Sequence, residues 1–230
     1  MKNSISKLTK LLIIAAVALL FISASIANAA LDSKGTNFWL MFDVNHTGSP
    51  TLSLFITSDV NTSGVVDIPG LAYNAPFTVT ANTVTTVSIP VAASNHTSDV
   101  VDYKGIHVTS LQEVTVYGLN RYQYTTDAFL GLPVDILGTE YIVLTYKNTN
   151  IVNGTEFGIV GTVNGTTVTI TPSETTGPRI AGVPYNITLN EGETYELRNS
   201  NNAPADLTGT KITSDQPIGV TGAHQCANIP

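Results

Sequence analysis

Beyond residue 30 the apolar positions recur with a period of two. Leu52-Ser53-Leu54, Val87-Ser88-Ile89, Ile106-His107-Val108, Val114-Thr115-Val116, Val168-Thr169-Ile170 and Ile187-Thr188-Leu189 all alternate. Such alternation turns one face of a strand to a core and the other to water. β-Branched residues fill both faces, which suits a pleated surface. Turn dipeptides, Asn153-Gly154 and Asn164-Gly165, separate the stretches. The second predicts a two-residue hairpin turn with positive φ at both positions. Beyond the first 29 residues no window keeps a helical period for more than about two turns. The pattern predicts an all-β protein.

The pattern also repeats. Gly35-Thr36-Asn37-Phe38 aligns with Gly138-Thr139-Glu140-Tyr141, Leu52 and Leu54 with Phe157 and Ile159, and Val66 and Ile68 with Val168 and Ile170. Pro76-Phe77-Thr78-Val79 aligns with Pro184-Tyr185-Asn186-Ile187, and Val87 and Ile89 with Tyr195 and Leu197. Gly105, Val108, Ser110 and Gln112 fall on Gly209, Ile212, Ser214 and Gln216, and Val114, Val116 and Gly118 on Ile218, Val220 and Gly222. An ordered series of this kind predicts a duplicated unit. The first copy spans 30–136 and the second 137–230, each a single strand followed by three hairpins. Two tandem antiparallel sandwich-like units fit the strand count. One continuous propeller-like architecture is the alternative.

Residues 1–29 read as a secretory signal peptide. Lys2, Lys7 and Lys10 precede an apolar run from Leu11 to Ile22, and Ala27-Asn28-Ala29 supplies the small-x-small cleavage pattern. The run is shorter than the roughly 20 residues a spanning helix needs. An uncleaved anchor is the other reading. The net charge is −7, and three of the ten basic residues lie in the leader, so the exported chain is more acidic still. That balance argues against nucleic acid and against anionic membrane surfaces as partners, and no membrane insertion is expected after cleavage. The expected location is secreted or cell-surface.

The titratable residues follow no catalytic pattern in the sequence. His46, His96, His107 and His224 lack metal-ligand spacing. No Gly-x-Ser-x-Gly elbow is present. Asp59, Asp67, Asp99 and Asp102 do not follow the order of a calcium loop. No enzyme, metal or cofactor is therefore expected, although a dispersed pair of acids is invisible to this reading. The segment 119–137 interrupts the repeat and carries Asn120, Arg121, Tyr122, Tyr124 and Asp127. Arg and Tyr together favour a recognition surface, so these five are the candidate partner-binding residues. The competing reading seals the junction between units, with Arg121 paired to Asp127 or Asp135 and the tyrosines packed beneath. Asn-x-Ser/Thr triplets at Asn45, Asn61, Asn95, Asn153, Asn164 and Asn186 are candidate glycan acceptors. Cys226 is the sole cysteine. Its expected partner is a cysteine beyond Pro230, a buried free thiol being the alternative.

Gly35-Thr36-Asn37-Phe38-Trp39-Leu40, Lys104-Gly105-Ile106-His107-Val108-Thr109-Ser110, Val116-Tyr117-Gly118-Leu119-Asn120-Arg121 and Gly222-Ala223-His224-Gln225-Cys226-Ala227-Asn228 resemble the N-terminal domain of IgGFc-binding proteins. One turn departs: Ser214-Asp215-Gln216-Pro217 is family-like, whereas the first copy reads Ser110-Leu111-Gln112-Glu113. The resemblance implies an extracellular binding or adhesion module without catalytic residues, linked to further domains beyond Pro230. Its ligand would be a protein or a glycan. A structural spacer with no ligand is the alternative function.

Overall fold

The computed structural model describes residues 32–46, 49–149 and 152–227, and within them the chain is built from β-strands. The leader expected over residues 1–29 lies outside the described residues. The first strands are β1 (Gly35–Leu40), β2 (Thr51–Thr57), β3 (Thr62–Ile68), β4 (Tyr73–Val79) and β5 (Val84–Ile89). They are followed by β6 (Val100–Asp102), the long β7 (Ile106–Tyr122) and β8 (Thr125–Leu130). Next come β9 (Glu140–Ile142), β10 (Thr155–Gly161), β11 (Thr166–Thr171) and β12 (Tyr185–Leu189). The last are β13 (Thr194–Asn199), β14 (Lys211–Ser214) and β15 (Ile218–His224).

Strand pairing places β4, β3, β7 and β1 in one ladder set, and β5, β2, β7 and β8 in another. β7 serves both because its first half pairs with β1 and β3, and its second half with β2 and β8. The later strands pair in the orders β12-β11-β14-β9 and β15-β10-β13-β6. β14 and β15 thus occupy the places of the two halves of β7. The bend between them is made alike in both sets. Ser110 Oγ donates to the Gln112 carbonyl at 2.7 Å, and Ser214 Oγ to the Gln216 carbonyl at 2.6 Å. Pro217, which has no N–H to give, interrupts the second strand, whereas Glu113 lets β7 run on.

Three expectations change at this level. The predicted hairpin at Asn164-Gly165 does not form, because β10 and β11 on either side of it belong to different sheets. Only Gly165 of the two takes a positive φ, 75°. Nor does each unit contain three hairpins. β3–β4 and β11–β12 pair as chain neighbours, while β2–β3 and β4–β5 cross between sheets. Finally, the ladders move the internal alignment of the early strands by two residues. Leu54 lies opposite Gly118 and Phe157 opposite Gly222, so Phe157 stands in the place of Leu54 rather than Leu52. Gly64 faces Ser110 and Val168 faces Ser214, which puts Ile170 where Val66 is. A slip of two preserves the buried face, so alternation alone does not register it.

The alternating residues fill two cores. One is drawn from residues between Phe38 and Val116, including Leu54, Ile56, Val66 and Val108. The other runs from Val143 to Ile218, around Phe157, Ile159, Val168 and Leu197. Each such side chain contributes about 1.5–3 kcal/mol on burial. β10 is buried on both faces along its whole length, and β13 beside it nearly so. The inner face of β10 meets the second core, and its outer face is crossed by the chain that follows β1. A Cβ at Gly158 would lie 2.4 Å from Met41 Cε and 2.5 Å from Asp43 Oδ1, so only glycine admits this crossing without a shift. Trp39, Met41 and Val160 form a small apolar cluster there. β6 adds to the free edge of β13, and Gly105 N donates to the Gly192 carbonyl at 2.9 Å. Asp32–Pro230 form one compact unit through these contacts.

Candidate functional site

β7 and β8 turn back on each other, with Arg121 opposite Thr126 and Tyr122 opposite Thr125. That leaves Gln123 and Tyr124 as the two residues of the turn. Tyr124 takes φ 74°, a conformation that glycine adopts readily and tyrosine does not. Its ring stands almost wholly in solvent, 94% exposed. Gln123 Nε2 donates to its hydroxyl at 3.0 Å. Arg121 is exposed, and its guanidinium makes no ion pair among the described residues. The expected pairing of Arg121 with Asp127 or Asp135 is therefore not formed. Tyr122 is half-buried and Asp127 exposed. Ser49, Thr51 and Thr126 join Arg121, Tyr122 and Tyr124 around an open, mostly polar concavity of about 480 Å³.

Asn120 turns the other way. It is 7% exposed, accepts Asn45 Nδ2 at 2.8 Å through Oδ1 and donates to the Asp43 carbonyl at 3.0 Å. Both ends of its amide are engaged, so it braces the hairpin base and offers nothing to a partner. Asn45, the sequon residue that holds it, is buried as well. A counterpart occurs at the end of β15, where His224 Nε2 meets Asn148 Oδ1 at 3.1 Å. Asn148 is buried and uses its whole amide: Nδ2 donates to the carbonyls of Asn199 and Asn201, while Oδ1 accepts from Gly154 N and Thr155 N. Asn148 does not stand out in the sequence, because Asn is abundant and this one looks like a loop residue.

Three of the histidines are engaged with neighbouring side chains or backbone. His107 stacks on Trp39 with ring centroids 4.2 Å apart and reaches Asn37 Oδ1 at 2.8 Å. His96 is buried beside Asp102, and burial pushes its pKa down to about 4. Burial likewise lowers His107 and His224. Among the described residues no group of three or more His, Cys, Asp or Glu could hold a metal ion. Asp99 accepts Arg179 Nε at 2.8 Å and Tyr195 Oη at 2.6 Å, which ties the approach to β6 to β13. Cys226 is half-buried and unpaired within the chain, and its N–H donates to His224 Nδ1 at 3.1 Å.

Comparison with known proteins converges on one family. Residues 127–230 match the family model described as IgGFc binding protein. The human IgGFc-binding protein is 34% identical over 118 residues, 50% of this chain. The chain spans only 2% of that relative's length. No solved structure matches. The chain thus carries an IgGFc-binding-like segment that begins within β8.

Proposed function

We propose that this protein is an extracellular, non-catalytic recognition module that engages a protein or glycan ligand through the β7–β8 hairpin. One observation carries the reading: Tyr124 is held almost wholly in solvent on a left-handed backbone, beside an Arg121 that has no ion-pair partner among the described residues. Such a conformation costs of order 1 kcal/mol or more for a residue with a side chain, and sites of this kind cluster where a side chain has work outside the fold. Arg and Tyr are also among the residue types that most often dominate interfaces, Tyr through a large ring with two rotatable bonds and Arg through a planar guanidinium with five donors. Ser49, Thr51 and Thr126 supply hydroxyls around the same concavity. The similarity to the IgGFc-binding family supports a binding role and an extracellular setting. Two copies of one β unit, residues 30–136 and 137–230, would then present the hairpin from the first copy, with export by the leader at 1–29. Adhesion within a longer protein, and a disulfide from Cys226 to a cysteine beyond Pro230, complete the proposal.

The test is a screen of residues 30–230 against a glycan array and a panel of extracellular proteins including IgG Fc. A specific ligand is expected, and Arg121→Ala and Tyr124→Ala should each weaken it by at least about tenfold, roughly 1.4 kcal/mol. Binding that survives both substitutions would remove the hairpin from the site. No binding across the panel, by protein with native circular dichroism, would favour the spacer.

A further inference from the structure

Three carboxyls and one guanidinium meet where the chain after β1 crosses the outer face of β10 and β13. Glu156 on β10 is fully buried, and neither of its oxygens has a hydrogen-bond partner. Arg198, opposite it on β13, stays 3.6 Å from Glu156 Oε2. Arg198 instead donates to Oε1 of the fully buried Glu196 at 2.9 Å. The second oxygen of Glu196 accepts Val44 N at 3.1 Å. Asp43 turns its carboxyl onto β15, where Thr221 Oγ1 donates to it at 2.9 Å. The same four residues therefore join the segment 41–45 to three adjacent strands of the second core.

One fixed cation does not neutralise three carboxylates, and the neighbours do not make up the difference. Asp102 from β6 adds negative potential at Glu196, and Asp127 from β8 does so at Asp43. Lys104 is held by Asp102 at 3.0 Å, and His96 beside them is neutral above about pH 4. Ser98 meets only the backbone of Arg198, and Thr221 is uncharged. An ionised, unpartnered carboxylate is very costly away from water, so the cluster is buried with protons on it.

We propose that this cluster is a pH-operated clasp, in which carboxyl protons hold residues 41–45 against β10, β13 and β15 and their loss loosens that junction. Burial raises all three groups, helped by Asp127 at Asp43, by Asp43 at Glu196, and by Glu196 and Asp43 at Glu156: Asp43 goes to about 6, Glu196 to about 8, and Glu156 well above its ordinary value of 4.5. A carboxyl raised in the closed state is protonated there and ionised once water reaches it. Opening thus releases protons, and the clasp weakens as pH rises from the ordinary carboxyl range through these raised values. Within that window each released proton makes the open population grow about tenfold per pH unit.

Trp39, the only tryptophan, reports on the junction because it packs with Met41 and Val160 and is 5% exposed. Acrylamide quenching of its emission in residues 30–230 should rise reversibly between about pH 4.5 and about pH 8, with far-ultraviolet circular dichroism unchanged. Glu156→Gln, which loses no hydrogen bond, should flatten the rise. Asp43→Asn, whose Oδ1 still accepts Thr221, should do the same and serves if the first variant misfolds. Glu174→Gln, an exposed carboxylate elsewhere, should retain the wild-type profile. A pH-independent wild type, or a slope shared by all variants, would overturn the proposal. So would loss of circular dichroism in step with quenching, since that reports global unfolding.

Discussion

Asn148 is the residue whose removal should expose most about how this fold is held. Its side chain donates to the carbonyls of Asn199 at 2.9 Å and Asn201 at 2.7 Å. It accepts from Gly154 N at 2.9 Å, Thr155 N at 3.0 Å and His224 Nε2 at 3.1 Å. Asn148→Ala deletes all five contacts at once. Asn201 is exposed, so water can compensate its share of the loss, whereas His224 is buried. Gly154 N, Thr155 N and the Asn199 carbonyl lie in buried residues and stay unpartnered. Each buried orphan costs about 1–3 kcal/mol, which sums to roughly 3–5 kcal/mol after local relaxation. That is a large share of the ~5–15 kcal/mol that separates a folded domain from its unfolded chain. Urea unfolding of residues 30–230, followed by circular dichroism, measures it. Asn148→Asp should be worse near neutrality, because a carboxylate oxygen would face two carbonyls. Burial raises such a carboxyl, so its stability should recover as pH falls and the group is protonated. A loss below about 1.5 kcal/mol for Asn148→Ala, or an Asn148→Asp variant indifferent to pH, would refute the reasoning.

Tyr124→Gly should stabilise the chain by about 0.5–1 kcal/mol, since glycine relieves the left-handed strain, while it abolishes ligand binding; paired unfolding and binding titrations separate the two effects. Asn45→Ala breaks two side-chain contacts, with Asn120 and with His46 N, and should cost about 1–2 kcal/mol in the same assay. Gly105→Ala would set a Cβ 2.5 Å from the Gly192 carbonyl oxygen; the backbones must part, so a loss of about 1–3 kcal/mol and a red-shifted Trp39 emission are expected.

Alternation along the chain was enough to determine that the protein is all β and which side of each strand is buried. Leu54, Ile56, Val66, Val108, Phe157 and Ile170 all face a core, as the period of two requires. Alternation carries no information on which strand lies next door, because any neighbour with a matching face will do. Hence β10 and β11 looked like the arms of a hairpin at Asn164-Gly165 and instead lie in separate sheets. The two-residue slips in β2 and β3 have the same origin: they leave every buried side chain on its face.

The candidate site was legible to a similar depth. Arg121 and Tyr124 were identifiable as residue types suited to recognition, and the fold holds both in solvent at one hairpin. Asn120, one residue earlier, was indistinguishable from them in sequence. Its direction was decided by the β7 ladder, which alternates outward Arg121 with inward Asn120 and puts Asn45 within hydrogen-bond reach. The carboxyl cluster was invisible altogether. Asp43, Glu156 and Glu196 are far apart in the chain and follow no motif, and a charged residue in a strand reads as solvent-facing. Only the passage of residues 41–45 across Gly158 removes the water from around them, and that passage is a property of the assembled sheets, not of any local stretch of sequence.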